Sequence, residues 1–286
     1  MEFSLHLLLL LLAAVSMTIS TKIPHKRLCP SKRFLREMDF DESLLEAGDL
    51  AENIERLCGA EVPTVGDPER PYRKQRLLKG IEQLLRLNIT RRVVENEPRL
   101  RRSCRVDAFA TRALRKLHKC FGLTTFPRLP SSAKRLRRTK PGRAADMLMQ
   151  FLISSYSHWY AVHEHSKERS RRVWNENVEL EEDVGRELWI LLEGGIRYAK
   201  GVGGPERAAA CGVSKRAPSK VFLSILYGGE REMSDCLKLT LFHKIEDEMT
   251  IARDLLTAMD ERVRSGGHRR RSHRNKKHKA KKPKAR

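Results

Sequence analysis

In segment after segment of this chain apolar residues recur at the 3.6-residue spacing of a helix, and nowhere do they alternate with the period of two that a half-buried strand requires. Residues 42–59, "ESLLEAGDLAENIERLCG", put Leu44, Leu45, Leu50, Ile54 and Leu57 on one stripe, with Gly59 as a stop. Residues 72–94 repeat the pattern through Leu77, Leu78, Ile81, Leu84, Leu85 and Leu87. A third helix, over 107–122, turns Phe109, Leu114, Leu117 and Phe121 inward and ends at Gly122. Two long helices follow over 144–165 and 178–200, then a loop-like stretch over 201–219. "VFLSILYGG", 221–229, reads equally as a strand or a short helix, and 231–264 is a long amphipathic helix that Gly266-Gly267 brings to an end. The expected fold is all-α: a disulfide-braced helical bundle with a disordered basic C-terminal tail.

The boundaries follow from composition. Residues 1–20 read as a signal peptide, 21–123 as an N-terminal three-helix subdomain, and 124–143 as a basic Pro/Ser-rich connector containing Pro127, Pro130 and Pro141. Residues 144–265 form a C-terminal helical subdomain, and 266–286 a polybasic tail with nothing apolar enough to bury.

The leader assignment rests on uninterrupted apolar sequence from Leu7 to Val15, followed by small residues at Ser16, Thr18 and Ser20. That is the length of a signal h-region and too short to span a bilayer, and cleavage after Ser20 or Ser16 fits the small-x-small rule. Glu2, with no Lys or Arg beside it, departs from the usual basic start. The competing reading is a buried helix of a cytosolic protein, but such a helix rarely opens on six consecutive leucines. No later stretch approaches 18 apolar residues, so no stable membrane insertion is expected.

Six cysteines follow the leader, an even count that in a secreted chain predicts three disulfides. Cys104 and Cys120 flank one helix, about 24 Å apart, too far to bond to each other. If the first three helices pack up-down-up as neighbours, the pairing is Cys29–Cys104, Cys58–Cys120 and Cys211–Cys236. The sequon Asn88-Ile89-Thr90 makes Asn88 a glycosylation candidate.

No motif assembles an active site, and the expectation is a protein that is not an enzyme and takes no cofactor. "HWYAVHEH" offers His158, His163 and His165, but their spacing spreads the rings around a helix, so no metal site is expected. "GVGGPE", 201–206, lacks the preceding strand and the Lys-Ser/Thr of a phosphate loop. Arg-rich quartets occur at 99–102, 135–138 and 169–172, and only Arg135 to Arg138 lies in the connector, where a furin-like protease would find extended chain. In the pairing above no bridge crosses that point, so cleavage after Arg138 would release residues 21–138.

Charge carries the functional signal. The formal net charge is +22, yet it is concentrated in two blocks. Residues 99–143 hold fifteen Lys or Arg against one acid, Asp107, and 268–286 hold eleven against none, which leaves the rest of the leader-free chain at about −2. Such clustering exceeds what solubility needs and costs self-repulsion. The candidate polyanion contacts in the first block are Arg101, Arg102, Arg105, Arg112, Arg115, Lys116, Lys134, Arg135, Arg137, Arg138 and Lys140. In the tail they are Arg269, Arg270, Arg271, Arg274, Lys276, Lys277, Lys279, Lys281, Lys282 and Lys284, with His268, His273 and His278 adding charge in acid. Aromatic residues are only 6%, sparse for a surface that stacks bases. The expected partners are therefore sulfated glycosaminoglycans or other extracellular polyanions, together with a protein receptor. In architecture alone the plan resembles helical cytokines and matrix-bound growth factors. Two alternatives stand beside it: a secreted precursor cut at Arg138, and a nuclear nucleic-acid binder addressed by "KKHKAKKPK" if the N-terminus is not a signal.

Overall fold

Eight helices make up nearly all of the structure described in the computed structural model: α1 Gly48–Gly59, α2 Arg70–Leu87, α3 Ile89–Asn96, α4 Arg112–Cys120, α5 Pro141–Glu168, α6 Val178–Gly203, α7 Lys220–Gly228 and α8 Arg231–Lys279. The described residues are 29, 48–59, 70–96, 100–101, 104, 112–123, 126–130, 139–168, 178–203 and 217–279, and side chains are described no further than Ala258. No strand occurs among them.

The apolar stripes read from the sequence become the core. Leu50, Ile54, Leu77, Ile81, Leu84, Leu114, Leu117 and Phe121 are all buried. A single buried cluster joins them to Leu148, Leu152, Leu191, Leu223 and Ile245, so residues on both sides of the 124–143 connector share one core. The connector is itself partly packed, since Phe126, Leu129 and Pro130 are buried.

Helix α6 packs most extensively against α5 and α2, and α8 against α2, α4, α3, α7 and α5. Close approach of α6 to its neighbours depends on missing side chains. A Cβ at Gly185 would lie 2.0 Å from Cζ2 of Trp159 on α5, and one at Gly195 would lie 2.4 Å from Cδ1 of Leu152. Toward α2, Gly194 faces Leu77 and Gly80 faces Leu191, each with a virtual Cβ about 3 Å from the opposing leucine.

One local feature was open in the sequence and two differ from its reading. Residues 220–228 fold as helix α7, the helical one of the two readings that the sequence allowed. Ser219 caps its first turn by accepting a 3.2 Å hydrogen bond from Phe222 N, and Phe222 to Leu226 are all buried, the condition under which periodicity alone does not distinguish the two states. The expected helix over 72–94 is two, broken at Asn88, which adopts φ +48. A single left-handed residue redirects the chain, and Asn tolerates that conformation better than most residues. Helix α8 continues through Gly266-Gly267 to Lys279 instead of stopping, so the expected disordered tail is helical in backbone that far. Two glycines cost a helix only about 1 kcal/mol each relative to Ala, and the flanking Arg and Lys are good helix formers.

The disulfides overturn the expected pairing throughout. Cys29 is bonded to Cys120 and Cys104 to Cys236. Cys29–Cys104, Cys58–Cys120 and Cys211–Cys236 therefore do not form. The premise was that α1 and α4 are neighbours in a three-helix layer, whereas α1 rests against α6 and α4 against α8. Cys58 is also disulfide-bonded, and Cys211 lies outside the described residues.

Candidate polyanion-binding surface

Helix α8 holds five neighbours through five different polar side chains. Ser234 Oγ donates to Leu226 O at the end of α7, and Lys238 Nζ donates to Ser166 Oγ on α5. The consecutive acids Glu246, Asp247 and Glu248 then take one element each. Glu246 accepts from both the backbone N and the hydroxyl of Thr90, closing the first turn of α3. Asp247 receives the Arg115 guanidinium of α4 in a forked pair, at 2.9 and 3.1 Å. Glu248 accepts from Leu129 N at 3.3 Å and from Lys244 Nζ at 2.6 Å, which pins the packed part of the connector. Burial pushes the Glu246 carboxyl above the usual range, and the Thr90 hydrogen bonds oppose that shift.

Cys236, His243 and Asp247 lie at positions i, i+7 and i+11 of α8 and so share one face. Cys104 is bonded to the first and α4 is held at the other two, which mounts Cys104 and α4 along about 16 Å of a single helix face. His118 of α4 meets His243 edge-on, with ring centroids 5.8 Å apart. His118 Nε2 and His243 Nε2 are buried without a hydrogen-bond partner, and His243 Nδ1 stands 3.6 Å from Asp247 Oδ2, beyond hydrogen-bonding reach. Burial, with the Lys244 ammonium and His243 close by, holds the His118 imidazole down at about 4, and burial also depresses His243.

Of the basic residues expected to meet a polyanion, Arg101, Arg115 and Lys140 are described and all three are exposed. Arg115 is partly spoken for: the hydrogen bond to Asp247 raises its pKa further and offsets its charge. Arg112 and Lys116 lie on α4, and Arg269 to Lys279 on the backbone of α8, with their side chains outside the described residues. Arg102, Arg105, Lys134, Arg135, Arg137, Arg138, Lys281, Lys282, Lys284 and the Ser20 cleavage position are wholly outside them. Lys119, Arg128 and Arg143, counted in the 99–143 block but not among the expected contacts, are also exposed, and outside the block Lys79, Arg86 and Arg92 are exposed on α2 and α3. Lys79 and Arg86 stand seven positions apart, a helical-face signal that was present in the sequence. By contrast α6 turns Glu179, Glu182, Asp183, Glu187 and Glu193 toward solvent, where Arg186 pairs with Asp183 and Arg197 with Glu193.

The three histidines of "HWYAVHEH" have different surroundings. His158 is buried between Phe126 and Phe222, its Nδ1–H donating to Ser154 O (2.7 Å), and burial pushes it down to about 4. His163 stacks on Trp159 and meets Glu181 Oε1 at 3.2 Å, while His165 packs edge-on to Tyr227. Among the described residues no cluster of three His, Cys, Asp or Glu is arranged to hold a metal ion, and no helix is long and apolar enough to cross a membrane. No protein-family model, curated protein or solved structure matches the chain.

Proposed function

We propose that this protein is a secreted, extracellular ligand or matrix-associated factor, without catalytic activity, that is retained by heparin-like glycosaminoglycans. The observation that carries the reading is the segregation of charge. Arg101, Arg115, Lys119, Arg128, Lys140 and Arg143 of the 99–143 block stand exposed, with α4 held on α8, while the outward side of α6 is acidic. A linear sulfated chain laid along those basic residues would be held by ion pairs and the release of condensed counterions, with affinity falling steeply as salt rises. Arginine forks would take sulfates in pairs and lysines would add point charges. The acidic side of α6 would stay free of the polysaccharide and available to a protein receptor. The disulfides support an oxidising compartment and count against the nuclear alternative.

Salt-gradient elution from heparin tests the reading. Release well above physiological salt is expected, moving to lower salt when 268–286 is deleted and again when Arg128, Lys140 and Arg143 are replaced by Gln. Release near physiological salt, unaffected by either change, would sink it. The precursor reading survives in altered form. Cys104–Cys236 spans the Arg138 position, so cleavage there leaves two chains covalently joined instead of freeing 21–138. Secreted protein that gives one band without reductant and two with it would favour that reading.

A further inference from the structure

The sequon at the α2–α3 break has two halves in opposite environments. Asn88 is exposed, at φ +48, where its N–H donates to Leu85 O (3.2 Å) and its carbonyl accepts from Arg92 N (3.0 Å). Its amide side chain is left to solvent at the hinge between two helices. Thr90 is buried, and its hydroxyl is engaged by Glu246 of α8. An acceptor of the Asn-x-Thr type is recognised through the Thr hydroxyl as well as the Asn amide, and in the folded chain that hydroxyl is not accessible.

From this geometry we infer that Asn88 carries an N-linked glycan attached before α3 docks on α8, and that Thr90 serves twice, first in the acceptor motif and then as the anchor of α3. The inference rests on entry into the secretory pathway, as proposed above. The order of synthesis supplies the time window. Glu246 lies 156 residues after Thr90 in the chain, which at ordinary translation speeds leaves roughly 8 to 30 s in which the sequon exists and its eventual partner does not. The co-reactant is an oligosaccharide linked to a lipid pyrophosphate. The bond from its anomeric carbon to the pyrophosphate oxygen breaks, a bond from that carbon to Asn88 Nδ2 forms, and the amide gives up one proton. Docking of α3 afterwards buries Ile89 and Thr90 of the sequon and leaves Asn88 exposed. The glycan then stands among Arg86, Arg91 and Arg92, at the edge of the basic surface.

Intact-mass measurement of the full chain secreted from eukaryotic cells, before and after peptide N-glycosidase, tests the assignment. One N-glycan is expected on the wild type and on Thr90→Ser, and none on Asn88→Gly, which keeps the left-handed hinge, or on Thr90→Val. The order is tested on unglycosylated full chain incubated with oligosaccharyltransferase and lipid-linked donor: it should be modified after reduction and unfolding, and resist modification when folded. A secreted, leader-free chain with the bare polypeptide mass would overturn the glycan and leave secretion standing. Equal modification of folded and unfolded protein would overturn the order, and an unprocessed chain confined to the cytosol would overturn both the glycan and the secretory reading.

Discussion

Helices α6 and α8 both run through the middle of the fold, and they hold their neighbours by opposite means. Toward α5 and α2, α6 relies on absence: Gly185 receives the Trp159 ring, and Gly195 and Gly194 receive Leu152 and Leu77. Its first turns also make polar contact with α5, where Trp159 Nε1 donates to Glu181 O and His163 meets the Glu181 carboxylate. Helix α8 reaches out instead, with Ser234, Lys238, Glu246, Asp247 and Glu248 each gripping a different element and Cys236 bonded to Cys104. The first kind of contact is limited by volume and is indifferent to pH. The second is directional, so it fixes which element sits where, and it is open to titration and reduction.

The largest expected effect tests the covalent member of the α8 set. Replacing Cys104 and Cys236 together by Ser removes a bridge between residues 132 apart in sequence, which should lower the unfolding free energy by about 4 kcal/mol. Urea denaturation at neutral pH measures it, and a loss below 1 kcal/mol would mean that the polar anchors hold α8 without the bridge. Acid should act next. A histidine whose folded pKa is depressed lets the unfolded state bind the extra proton, so its contribution is intact above the unfolded value near 6.5 and is lost as pH falls toward 4. For the fully buried His158 alone the loss is on the order of 3 kcal/mol by pH 4, with His118 and His243 adding in the same direction. Glu246, whose carboxyl is shifted upward, contributes with the opposite sign and shallows the slope above pH 4.5. Stability measured at pH 7, 5.5 and 4 should fall monotonically, and less steeply in His118→Leu with His243→Leu. An unchanged slope in that double variant would remove the pH sensitivity from the α4–α8 contact.

The α6 side is probed by Gly185→Ala. The added methyl meets an indole held by its own hydrogen bond, and after the helix-propensity gain of Ala the net loss should be about 2 kcal/mol. Gly201→Ala, with nothing within 4 Å of its Cβ, is the matched control and should be neutral or gain up to about 1 kcal/mol. If both variants behave alike, α6 has room that the structure does not show. If only Gly185→Ala suffers, and Trp159→Phe restores part of the loss, volume is what fixes α6.

The two helices also differ in how far the sequence revealed them. Period alone picked out Leu77, Ile81, Leu84, Leu114, Leu117 and Phe121 as core, because burial of a stripe is a local consequence of spacing. The α6 glycines were read only as part of a helical segment, since nothing nearby in sequence announces the ring of Trp159. The acids of "HKIEDEMT" had no reading of their own within the long amphipathic helix. Their partners are 156, 132 and 119 residues away, and a helical stripe carries no information about elements that distant. The disulfide pairing failed for the same reason: it followed from assumed adjacency of α1 and α4, which chain order does not dictate. The basic blocks were legible because charge clustering is compositional. Partial neutralisation of Arg115 was not, because it depends on which acid the fold brings to it.

That pair supplies the smallest effect and the one that ties anchoring to binding. Arg115 and Asp247 form a forked but largely solvent-exposed bridge, so breaking it with Asp247→Asn should cost stability by no more than about 1 kcal/mol. The same substitution frees a guanidinium on the basic face. Elution from heparin should therefore move to slightly higher salt, while Arg115→Gln should move it to slightly lower salt at a similar cost in stability. Stability and affinity would then change in the same direction in one variant and in opposite directions in the other. If both variants elute together, Asp247 only anchors α4 and Arg115 takes no part in the surface. If they diverge as expected, the acid that positions α4 also limits how much charge α4 presents, and the polar grip of α8 sets the strength of the face it builds.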